Sequence, residues 1–305
     1  MNEAFLDELR SLGPVLTDEP LARHTTFGIG GPVDAYFAAR DEEQLRGALR
    51  AAHKHGVPVF ILGAGSNVLF LDGGIRGLVI ENATDRVEGP MANGAGFKVR
   101  VASGVSFAAV ARRLAFAGYS GLEWACGIPG TLGGAAVYNA GAYGKSLADV
   151  LRAVRIVDPD NGIVEMRPEE LALEYRNSAF TRGGLPGRVV LSVDLAVQKG
   201  DPAELRARVR EYDAQRLAAQ PRGRNAGSMF KNPPEHPAWW LIDQVGLRGH
   251  RIGNAQISEQ HTNFFLNLGG ATASDVVALM DLARTRIRER FGIEMENEVA
   301  LVGEP

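Results

Sequence analysis

The chain has 305 residues, of which 45% are hydrophobic and 23% charged, and these ordinary fractions exclude a disordered or fibrous chain. The formal net charge of -3 excludes a generally basic nucleic-acid-binding protein, but it still allows a local site for an anionic ligand. At roughly 150 residues per domain, this length predicts about two domains.

The first part of the chain has the pattern of a β-α-β unit. Residues 33–39 are short and apolar, as a strand would be, and apolar positions then follow helical spacing over 41–56. Asp41 is the expected N-cap of that helix, with Gln44 as its capping-box partner, and 57–62 is the following strand. Together these three segments predict a β-α-β unit.

More strands and helices follow without the strict alternation of a doubly wound sheet. Ser106 is the expected N-cap of a helix that extends to about Phe116. The strand candidates are 77–82, 96–104, 152–158 and 189–198, with a hairpin turn at 158–162. This mixture predicts an α+β fold with mixed sheets rather than a pure Rossmann domain.

A domain boundary fits near residue 200. Asp201 is a suitable N-cap, and Pro202 is a suitable first residue, for the helix that follows. We therefore predict one domain over 1–200 and a smaller C-terminal domain over 201–305.

The C-terminal part ends in an amphipathic helix predicted over 274–291, with Gly292 as its stop. Before it, 221–268 is polar, loop-like and rich in Asn, Gly and Gln, as loops that carry function often are. Trp239 and Trp240 lie within this segment, and we expect them to anchor the core of the small domain.

Glycine is over-represented, with 37 residues, and it is concentrated in two segments. The first, 62–69 (LGAGSNVL), follows a predicted strand, and the second, 127–144 (GIPGTLGGAAVYNAGAYG), holds six glycines. Residues without a Cβ let backbone N–H groups converge on one oxygen-rich ligand, and a pyrophosphate is the obvious candidate. Tight turns alone are the simpler alternative, and they explain the first segment better than the second.

Neither segment matches the Rossmann fingerprint. Val68 stands where the third glycine after Gly63 and Gly65 should be, and no helix is predicted to open there. We therefore expect loops, rather than a dinucleotide-binding helix, to hold the phosphates.

Six motifs in order make the chain resemble a known family. They are HTTFGIGGPVD (24–34), LGAGSNVLF (62–70), GIPGTLGGAAVYNAGAYG (127–144), YRNSAF (175–180), AGSMFKNP (226–233) and ENEV (296–299). Together they resemble the UDP-N-acetylenolpyruvoylglucosamine reductases, the MurB flavoenzymes of peptidoglycan precursor synthesis, over nearly the whole chain. The short path between the fourth and fifth motifs is similar to the compact form of this family, which lacks an extra substrate-covering insertion.

The resemblance implies a fold, a cofactor and a reaction. The fold is an FAD-binding domain of the p-cresol methylhydroxylase type, made of two α+β subdomains that split near residue 85, followed by a smaller α+β substrate domain. FAD would bind non-covalently, and NADPH would be the co-substrate. The enolpyruvyl group of a UDP-sugar would be reduced to the lactyl ether of UDP-N-acetylmuramate. The two glycine segments would cradle the FAD, with HTTFGIGG supporting them.

The resemblance also assigns binding residues. We expect FAD to contact Gly63, Ala64, Gly65, Ser66, Asn67, Gly127, Ile128, Gly130, Thr131, Gly133, Gly134, Ala135, Asn139 and Gly141. We expect the substrate to contact Tyr175, Arg216, Lys231 and Asn232. Arg216 is chosen for its charge rather than by the resemblance. Like Arg222 and Arg224, which are open candidates, it could meet the phosphates of the substrate or of NADPH, and a solvated basic stretch is the alternative for all three.

Three residues match the family's catalytic positions. Arg176 would hold the enolpyruvyl carboxylate by paired hydrogen bonds and stabilise the enolate that hydride addition produces. Ser228 would supply the proton, which requires a site that excludes water. Glu298 would act with Arg176 on the carboxylate side. Glu296 is a rival that the sequence alone does not exclude, and we prefer Glu298 because it directly precedes Val299.

The remaining features carry no chemistry in this interpretation. The six histidines show no metal-site spacing, and Cys126, the single cysteine, excludes an internal disulfide and is interpreted as a packing residue. The acidic N-terminus lacks the order of a signal peptide, and no apolar run approaches the roughly 18 residues that span a bilayer. We expect a cytoplasmic protein without a metal and without a membrane, nucleic-acid or obligate protein partner.

Two other functions stay open. A flavin oxidase of an alcohol or sugar lactone would share the FAD fold, but such enzymes often tether the flavin through His or Cys and lack the serine, arginine and glutamate set. A non-enzymatic nucleotide-binding module would bind FAD without turnover, yet it would explain neither YRNSAF nor AGSMFKNP. We rank the reductase first, the oxidase second and the module third.

Overall fold

The computed structural model describes residues 2–158 and 162–305 of the chain. Its α-helices in these residues are α1 (Glu3–Arg10), α2 (Glu42–Lys54), α3 (Phe107–Phe116), α4 (Leu132–Tyr138), α5 (Pro202–Ala219), α6 (Ala238–Gln244) and α7 (Ala273–Phe291). Its strands are β1 (Val15–Pro20), β2 (Pro32–Ala39), β3 (Val59–Leu62), β4 (Val68–Phe70), β5 (Ile75–Asn82), β6 (Val87–Asn93), β7 (Gly96–Ala102), β8 (Tyr119–Ser120), β9 (Gly141–Ala142), β10 (Lys145–Ser146), β11 (Leu151–Asp158), β12 (Gly162–Met166), β13 (Val189–Lys199), β14 (Arg251–Ile252), β15 (Ala255–Ile257), β16 (Phe265–Asn267) and β17 (Ala300–Val302). Helices together with both parallel and antiparallel strand pairs confirm the predicted α+β class.

Capping side chains set the starts of the predicted helices. The side chains of Asp41, Ser106 and Asp201 accept hydrogen bonds from N–H groups in the first turns of α2, α3 and α5. These bonds satisfy N–H groups that a helix leaves free at its start, so the three predicted N-caps are confirmed. The capping box at Asp41 is incomplete, because the Gln44 side chain accepts from the N–H of Arg40 instead. Among the described residues, every helix is too short or too polar to span a lipid bilayer.

The first sheet contains the predicted β-α-β unit. Its strand order is β1-β2-β5-β3, in which β2 and β3 both run parallel to β5, and α2 connects β2 to β3. Its core includes the fully buried side chains of Phe5, Phe37, Leu45 and Leu78. The first glycine segment directly follows β3, so it begins at the carboxyl edge of this sheet, where open sheets commonly bind ligands.

The second sheet is antiparallel, in the order β12-β11-β13-β7-β6, and β8 pairs with the end of β13. The helices α3 and α4 pack on it around a core that includes Phe107 and Trp124, whose rings meet edge to face. The register of β11 and β12 places Asp158 opposite Gly162, as expected for the predicted hairpin. Its turn, 159–161, lies outside the described residues.

The two sheets meet near the predicted split at residue 85. The Asn82 side chain, at the end of β5, donates to the Ser103 hydroxyl at 2.7 Å. Val189 and Leu191 of β13 pack into the core of the first sheet. These contacts hold the two subdomains together, so the two glycine segments, one from each subdomain, can approach each other.

The prediction of a loop-like segment over 221–268 is wrong in part. The segment contains α6 and a small antiparallel sheet of β14, β15 and β16, which pack on α7 around a core that includes Phe265 and Met280. These strands have two or three residues each, too few for an alternating pattern to show in the sequence. Trp239 is not a core residue, because 41% of it is exposed, whereas Trp240 packs against the core.

Two elements join the C-terminal part to the rest of the chain. The helix α5, which the predicted boundary places in the second domain, buries Leu205 and Val209 against Ala115 and Cys126 of the second subdomain. Strand β17 pairs in parallel with β4, which begins within the last two residues of the first glycine segment. Where the C-terminal domain begins stays a prediction, but these contacts bring its last strand next to that segment.

Candidate active site

A cavity of about 940 Å³ opens between the two subdomains and the C-terminal part of the chain. Its volume lies in the range of cofactor and small-molecule sites. Both glycine segments line it, and so do the three predicted catalytic residues, Arg176, Ser228 and Glu298. These three residues are distant in the sequence, and only the folded chain brings them to one surface.

The first glycine segment turns sharply against the HTTFGIGG motif. Gly65 has a φ of +60°, and a Cβ there would lie 2.2 Å from the His24 carbonyl oxygen, so only glycine fits. The Gly65 carbonyl accepts from the Thr26 N–H at 3.0 Å, which supports the turn. Within the described residues, none of the N–H groups of 63–67 donates a hydrogen bond to another group. The segment therefore presents consecutive free donors, which suit an anionic ligand.

The two glycine segments touch each other at the cavity wall. A Cβ on Gly63 would lie 2.5 Å from Oγ1 of Thr131, and a Cβ on Gly130 would lie 2.9 Å from Oγ of Ser66. Glycine at both positions lets the two backbones approach this closely. A Cβ on Gly134, by contrast, would meet nothing closer than 3.8 Å, so this glycine leaves part of the cavity open.

The second glycine segment contains a helix, where the sequence predicted loops throughout. Thr131 caps α4 by accepting from the Gly134 N–H at 3.5 Å, and the helix ends at Asn139 with a φ of +44°. The Gly133 N–H donates to the Ser103 carbonyl at 2.7 Å, which ties the helix to the end of β7. Two glycines among seven residues make α4 a weak helix by propensity, so its sequence does not predict a helix.

Most of the predicted FAD contacts line the cavity, but Gly127 and Asn139 do not. A Cβ on Gly127 would lie 2.6 Å from Cδ of Arg216, so this glycine makes room for the arginine. The Asn139 side chain is buried; its amide donates to the Glu174 carbonyl at 2.8 Å, and its oxygen accepts from the Ala148 N–H at 3.1 Å. Both residues contact neighbouring parts of the chain instead, which does not support direct FAD contacts for them.

Arg176 lies at the tip of a tight turn. Glu174 and Asn177 exchange backbone hydrogen bonds of 3.0 and 3.2 Å, and Arg176 has a φ of +53°, a left-handed conformation that residues other than glycine seldom adopt. Its Nη2 donates to the Gly141 carbonyl at 2.7 Å, and its Nε donates to Oε1 of Glu298 at 2.6 Å. These two bonds fix the guanidinium at the cavity wall.

Glu298 is a largely buried carboxyl group beside this guanidinium. Burial raises its pKa, and the positive charges of Arg176 and Lys231 offset this only in part. Its N–H donates to the Met229 carbonyl at 2.9 Å, and its carbonyl accepts from the Asn67 side chain at 3.1 Å. A carboxyl group with a raised pKa can hold a proton next to an anionic substrate.

Ser228 lies close to Glu298 because their two segments run side by side. The Glu298 N–H bonds to Met229, the residue after Ser228, and Met229 in turn donates to the Asn263 carbonyl at 2.8 Å. Over 2–158 and 162–305, no group forms a hydrogen bond with the Ser228 hydroxyl. This half-buried hydroxyl is therefore available to a bound ligand.

The two carboxylates that the sequence left as rivals have different surroundings. Glu298 lines the cavity, whereas the Glu296 side chain is 73% exposed and pairs with Nζ of Lys231 at 2.6 Å. Lys231 does not itself line the cavity. The structure therefore favours Glu298 as the carboxyl group that meets a ligand.

The other predicted substrate contacts divide between the cavity and its surroundings. Arg216, on α5, lines the cavity, and burial lowers the pKa of its guanidinium without removing its charge. Tyr175 and Asn232 lie outside it, where the Asn232 amide donates to the Tyr175 hydroxyl at 3.4 Å. The open candidates Arg222 and Arg224 are exposed and do not line the cavity.

Sequence reasoning missed Arg188, which lines the cavity. Nε of Arg188 donates to Oδ2 of Asp158 at 2.5 Å, which places a third cation, beside Arg176 and Arg216, at the cavity wall on the side of β13. Arg188 belongs to no motif that predicts a site, so no sequence signal could have identified it.

These features fit an FAD molecule. The free N–H groups of 63–67 suit a diphosphate, and the glycine-lined wall leaves room for the rest of the cofactor. The described residues that line the cavity include no His or Cys to tether a flavin covalently. Cys126 is buried elsewhere, and burial raises the pKa of its thiol to about 11. In the part of the chain that the structure describes, His, Cys, Asp and Glu side chains form no metal-binding cluster.

Known proteins are similar to this chain in sequence and in structure. A model of the UDP-N-acetylenolpyruvoylglucosamine reductase C-terminal domain matches residues 219–302, and a model of an FAD binding domain matches residues 33–167. The UDP-N-acetylenolpyruvoylglucosamine reductase of Rubrobacter xylanophilus is 45% identical over 94% of this chain and 95% of its own length. The protein of that name from a Synechococcus strain is 42% identical over 96% and 93%. The crystal structure of UDP-N-acetylenolpyruvylglucosamine reductase (MurB) from Thermus caldophilus matches with a TM-score of 0.77 and 35% identity, covering 95% of this chain and 98% of that one.

Proposed function

The chain belongs to the UDP-N-acetylenolpyruvoylglucosamine reductase family, and we propose that it reduces the enolpyruvyl group of UDP-N-acetylglucosamine enolpyruvate with NADPH to give UDP-N-acetylmuramate. The observation that carries this proposal is that Arg176, Ser228 and Glu298 line one cavity together with both glycine segments. The protein is thus an oxidoreductase of peptidoglycan precursor synthesis. We place the protein in the cytoplasm. Its product is a precursor of the cell wall, and by this route the reaction contributes to cell shape and cell division.

FAD is the cofactor of this reaction, and the free N–H groups of 63–67 would hold its diphosphate. The wall formed by Gly130, Thr131 and Gly134 would lie along the rest of the molecule. When bound, FAD would supply the hydride chemistry that links NADPH to the enolpyruvyl double bond. The other tasks fall to side chains of the protein.

Arg176 binds the enolpyruvyl carboxylate. Its bonds to Gly141 and Glu298 hold the guanidinium in place before the substrate arrives, so little reorganisation is needed during the reaction. Hydride addition at the terminal carbon leaves negative charge next to the carboxylate, which is effectively an enolate. A fixed cation beside that carboxylate stabilises the developing charge.

Glu298 allows the carboxylate of the substrate to bind next to its own carboxyl group. An ionised Glu298 would repel the substrate carboxylate that approaches Arg176, but its raised pKa favours the protonated form there. A protonated Glu298 also becomes a hydrogen-bond donor. We assign it the role of orienting the carboxylate against Arg176.

Ser228 delivers the proton that completes the reduction. Its hydroxyl transfers a proton to the carbon that bears the carboxylate and then regains one from water. Its lack of a hydrogen-bonding partner among the described residues leaves the hydroxyl free to turn toward that carbon. For the UDP part of the substrate, Arg216 supplies a cation at the cavity wall. Tyr175, Lys231 and Asn232 lie outside the cavity lining, and we assign them to binding by their match to the family's substrate positions.

An anaerobic absorption spectrum of the purified protein tests the proposed function. NADPH should bleach a flavin band at roughly 450 nm, and UDP-N-acetylglucosamine enolpyruvate should restore it without air. Restoration only after air is admitted would instead indicate an oxidase, and no bleaching at all would indicate a binding module. Precipitating the protein in acid should release the yellow colour into solution, as expected for a non-covalent flavin.

A further inference from the structure

Asn139 stands out because it is buried, polar and close to the cavity, yet directed at the backbone instead of the cavity. Its side-chain amide donates to the Glu174 carbonyl at 2.8 Å, and its side-chain oxygen accepts from the Ala148 N–H at 3.1 Å. Only 4% of the residue is exposed. The nitrogen and the oxygen of the side-chain amide thus both have hydrogen-bond partners within the protein. These bonds explain why the polar side chain can be buried, and no bond to a cofactor is required.

The carbonyl that Asn139 holds belongs to the turn that carries Arg176. Glu174 opens this turn, and its carbonyl also accepts from the Asn177 N–H at 3.2 Å. Arg176 follows two residues later with its left-handed backbone. A residue other than glycine keeps such a conformation only where its surroundings fix it, so the turn requires anchors outside itself.

A second anchor comes from the same end of α4. Oγ of Ser178, which is fully buried, donates to the Val137 carbonyl at 2.5 Å. Asn139 and Val137 therefore hold the loop on both sides of Arg176. Since α4 also forms part of the cavity wall through Gly133 and Gly134, the helix links that wall to the position of the guanidinium.

We propose that Asn139 is a positioning residue for substrate reduction, which holds the Arg176 turn in register with the substrate carboxylate and makes no contact with FAD. The proposal rests on the proposed function, because it assigns Asn139 a role through Arg176. It predicts that the chemistry of the second half-reaction depends on the Asn139 amide, whereas FAD binding and FAD reduction by NADPH do not.

Asn139→Asp is the sharpest variant. Aspartate tolerates the left-handed backbone and keeps the oxygen that accepts from Ala148, but it has no donor for the Glu174 carbonyl. Losing one such bond should slow flavin reoxidation by the UDP-sugar about tenfold or more. The FAD content and the rate of bleaching by NADPH should equal those of the wild type. Ser178→Ala removes the other anchor and should give the same pattern by an independent route.

A double variant separates positioning from a general structural effect. If Asn139 acts through Arg176, Asn139→Asp should slow reoxidation by less than about twofold when Arg176 is already alanine. The reason is that the effects of substitutions at two coupled residues do not add. Asn267→Asp is a matched control, since Asn267 is also buried and donates to the Phe27 carbonyl at 2.9 Å. It should lower the melting temperature without changing the ratio of the two half-reactions.

The outcomes separate the positioning role of Asn139 from the proposed function. Three results would each overturn the positioning role while leaving the proposed function intact. The first is loss of FAD from Asn139→Asp, and the second is an equal fall in the rates of both half-reactions. The third is that Asn139→Asp slows reoxidation as much in the Arg176→Ala background as it does in the wild type. A wild-type protein that NADPH bleaches but the UDP-sugar never reoxidises would overturn the proposed function itself, and the positioning role with it.

Discussion

Nε of Arg176 lies 2.6 Å from Oε1 of Glu298, although the two residues are 122 positions apart in the sequence. Each partner is held by an asparagine from a different glycine segment. Asn139 bonds to the turn that carries Arg176, and Asn67 bonds to the backbone carbonyl of Glu298. The geometry of this hydrogen-bonded pair therefore depends on both segments that form the proposed FAD cradle.

Arg176→Lys should damage only the second half-reaction. Lysine keeps the charge, but a single ammonium group cannot bond to Gly141 and Glu298 while also holding a carboxylate by paired bonds. We expect reoxidation by the UDP-sugar to slow about 100-fold, which is the effect of removing one preorganised hydrogen-bond donor from an active site. The rate of bleaching by NADPH should not change. Stopped-flow spectroscopy of each half-reaction measures this. Arg86→Lys, at a side chain that is 82% exposed, is the control and should match the wild type.

Ser228→Ala tests the proton donor. Removing the hydroxyl leaves bleaching by NADPH intact, because that step needs no proton from Ser228, but it should slow reoxidation by about 10²–10⁴-fold. Ser120→Ala removes a hydroxyl whose Oγ donates to the Gln198 carbonyl at 3.3 Å, away from the cavity, and should have no such effect. Equal slowing of both half-reactions in Ser228→Ala would show that Ser228 has a structural or binding role instead.

Local signals explain which parts of the fold the sequence could predict. Asp41 and Asp201 were identifiable as N-caps because a capping side chain, its helix and the free N–H groups it satisfies are all neighbours in the chain. The glycine-rich sequence around Gly65 indicated a tight turn for a similar reason, and the φ of +60° at Gly65 is a local feature of that turn. Such features depend on a few adjacent residues, and the sequence displays them directly.

Features that depend on tertiary contacts were beyond the sequence. The strands β14 to β16 are too short to show a pattern, and their pairing depends on packing against α7. The choice between Glu296 and Glu298 depended on burial, which differs although the two are only two positions apart. Asn139 lies in a glycine motif that suggested a cofactor contact, and only the fold shows that its amide reaches Glu174.

Gly127→Ala should act on the substrate site through Arg216. A Cβ at this position would lie 2.6 Å from Cδ of Arg216, too close to be tolerated, so the arginine must move. If Arg216 binds the UDP part, KM for the UDP-sugar should rise several-fold while kcat changes less, the sign of lost uniform binding. Gly184→Ala, where a Cβ would come no closer than 3.3 Å to any atom, is the matched control. An unchanged KM in Gly127→Ala would argue against the role of Arg216.

Glu298→Gln should change how stability depends on pH. In the folded protein, burial raises the pKa of Glu298 above its ordinary value of 4.5. Below pH 4.5 the carboxyl group is protonated in both the folded and the unfolded chain, so this titration contributes no difference there. As pH rises from 4.5 through the raised pKa, the unfolded chain loses its proton first, and the wild type loses stability. Glutamine does not titrate, and the variant escapes this loss while still accepting a bond from Arg176.

Urea unfolding at a series of pH values, with FAD at a fixed saturating concentration, measures the effect. The free energy of unfolding of Glu298→Gln minus that of the wild type should rise with pH from 4.5 upward and then level off once Glu298 is ionised in the folded state. Glu296→Gln, whose side chain is 73% exposed in the wild type, gives the background for an ordinary surface carboxylate. A difference that instead falls as pH rises would mean that the bond to Arg176 has a larger effect on the pKa of Glu298 than burial has. Glu298 would then be ionised in the free enzyme and would gain its proton only when the substrate carboxylate binds.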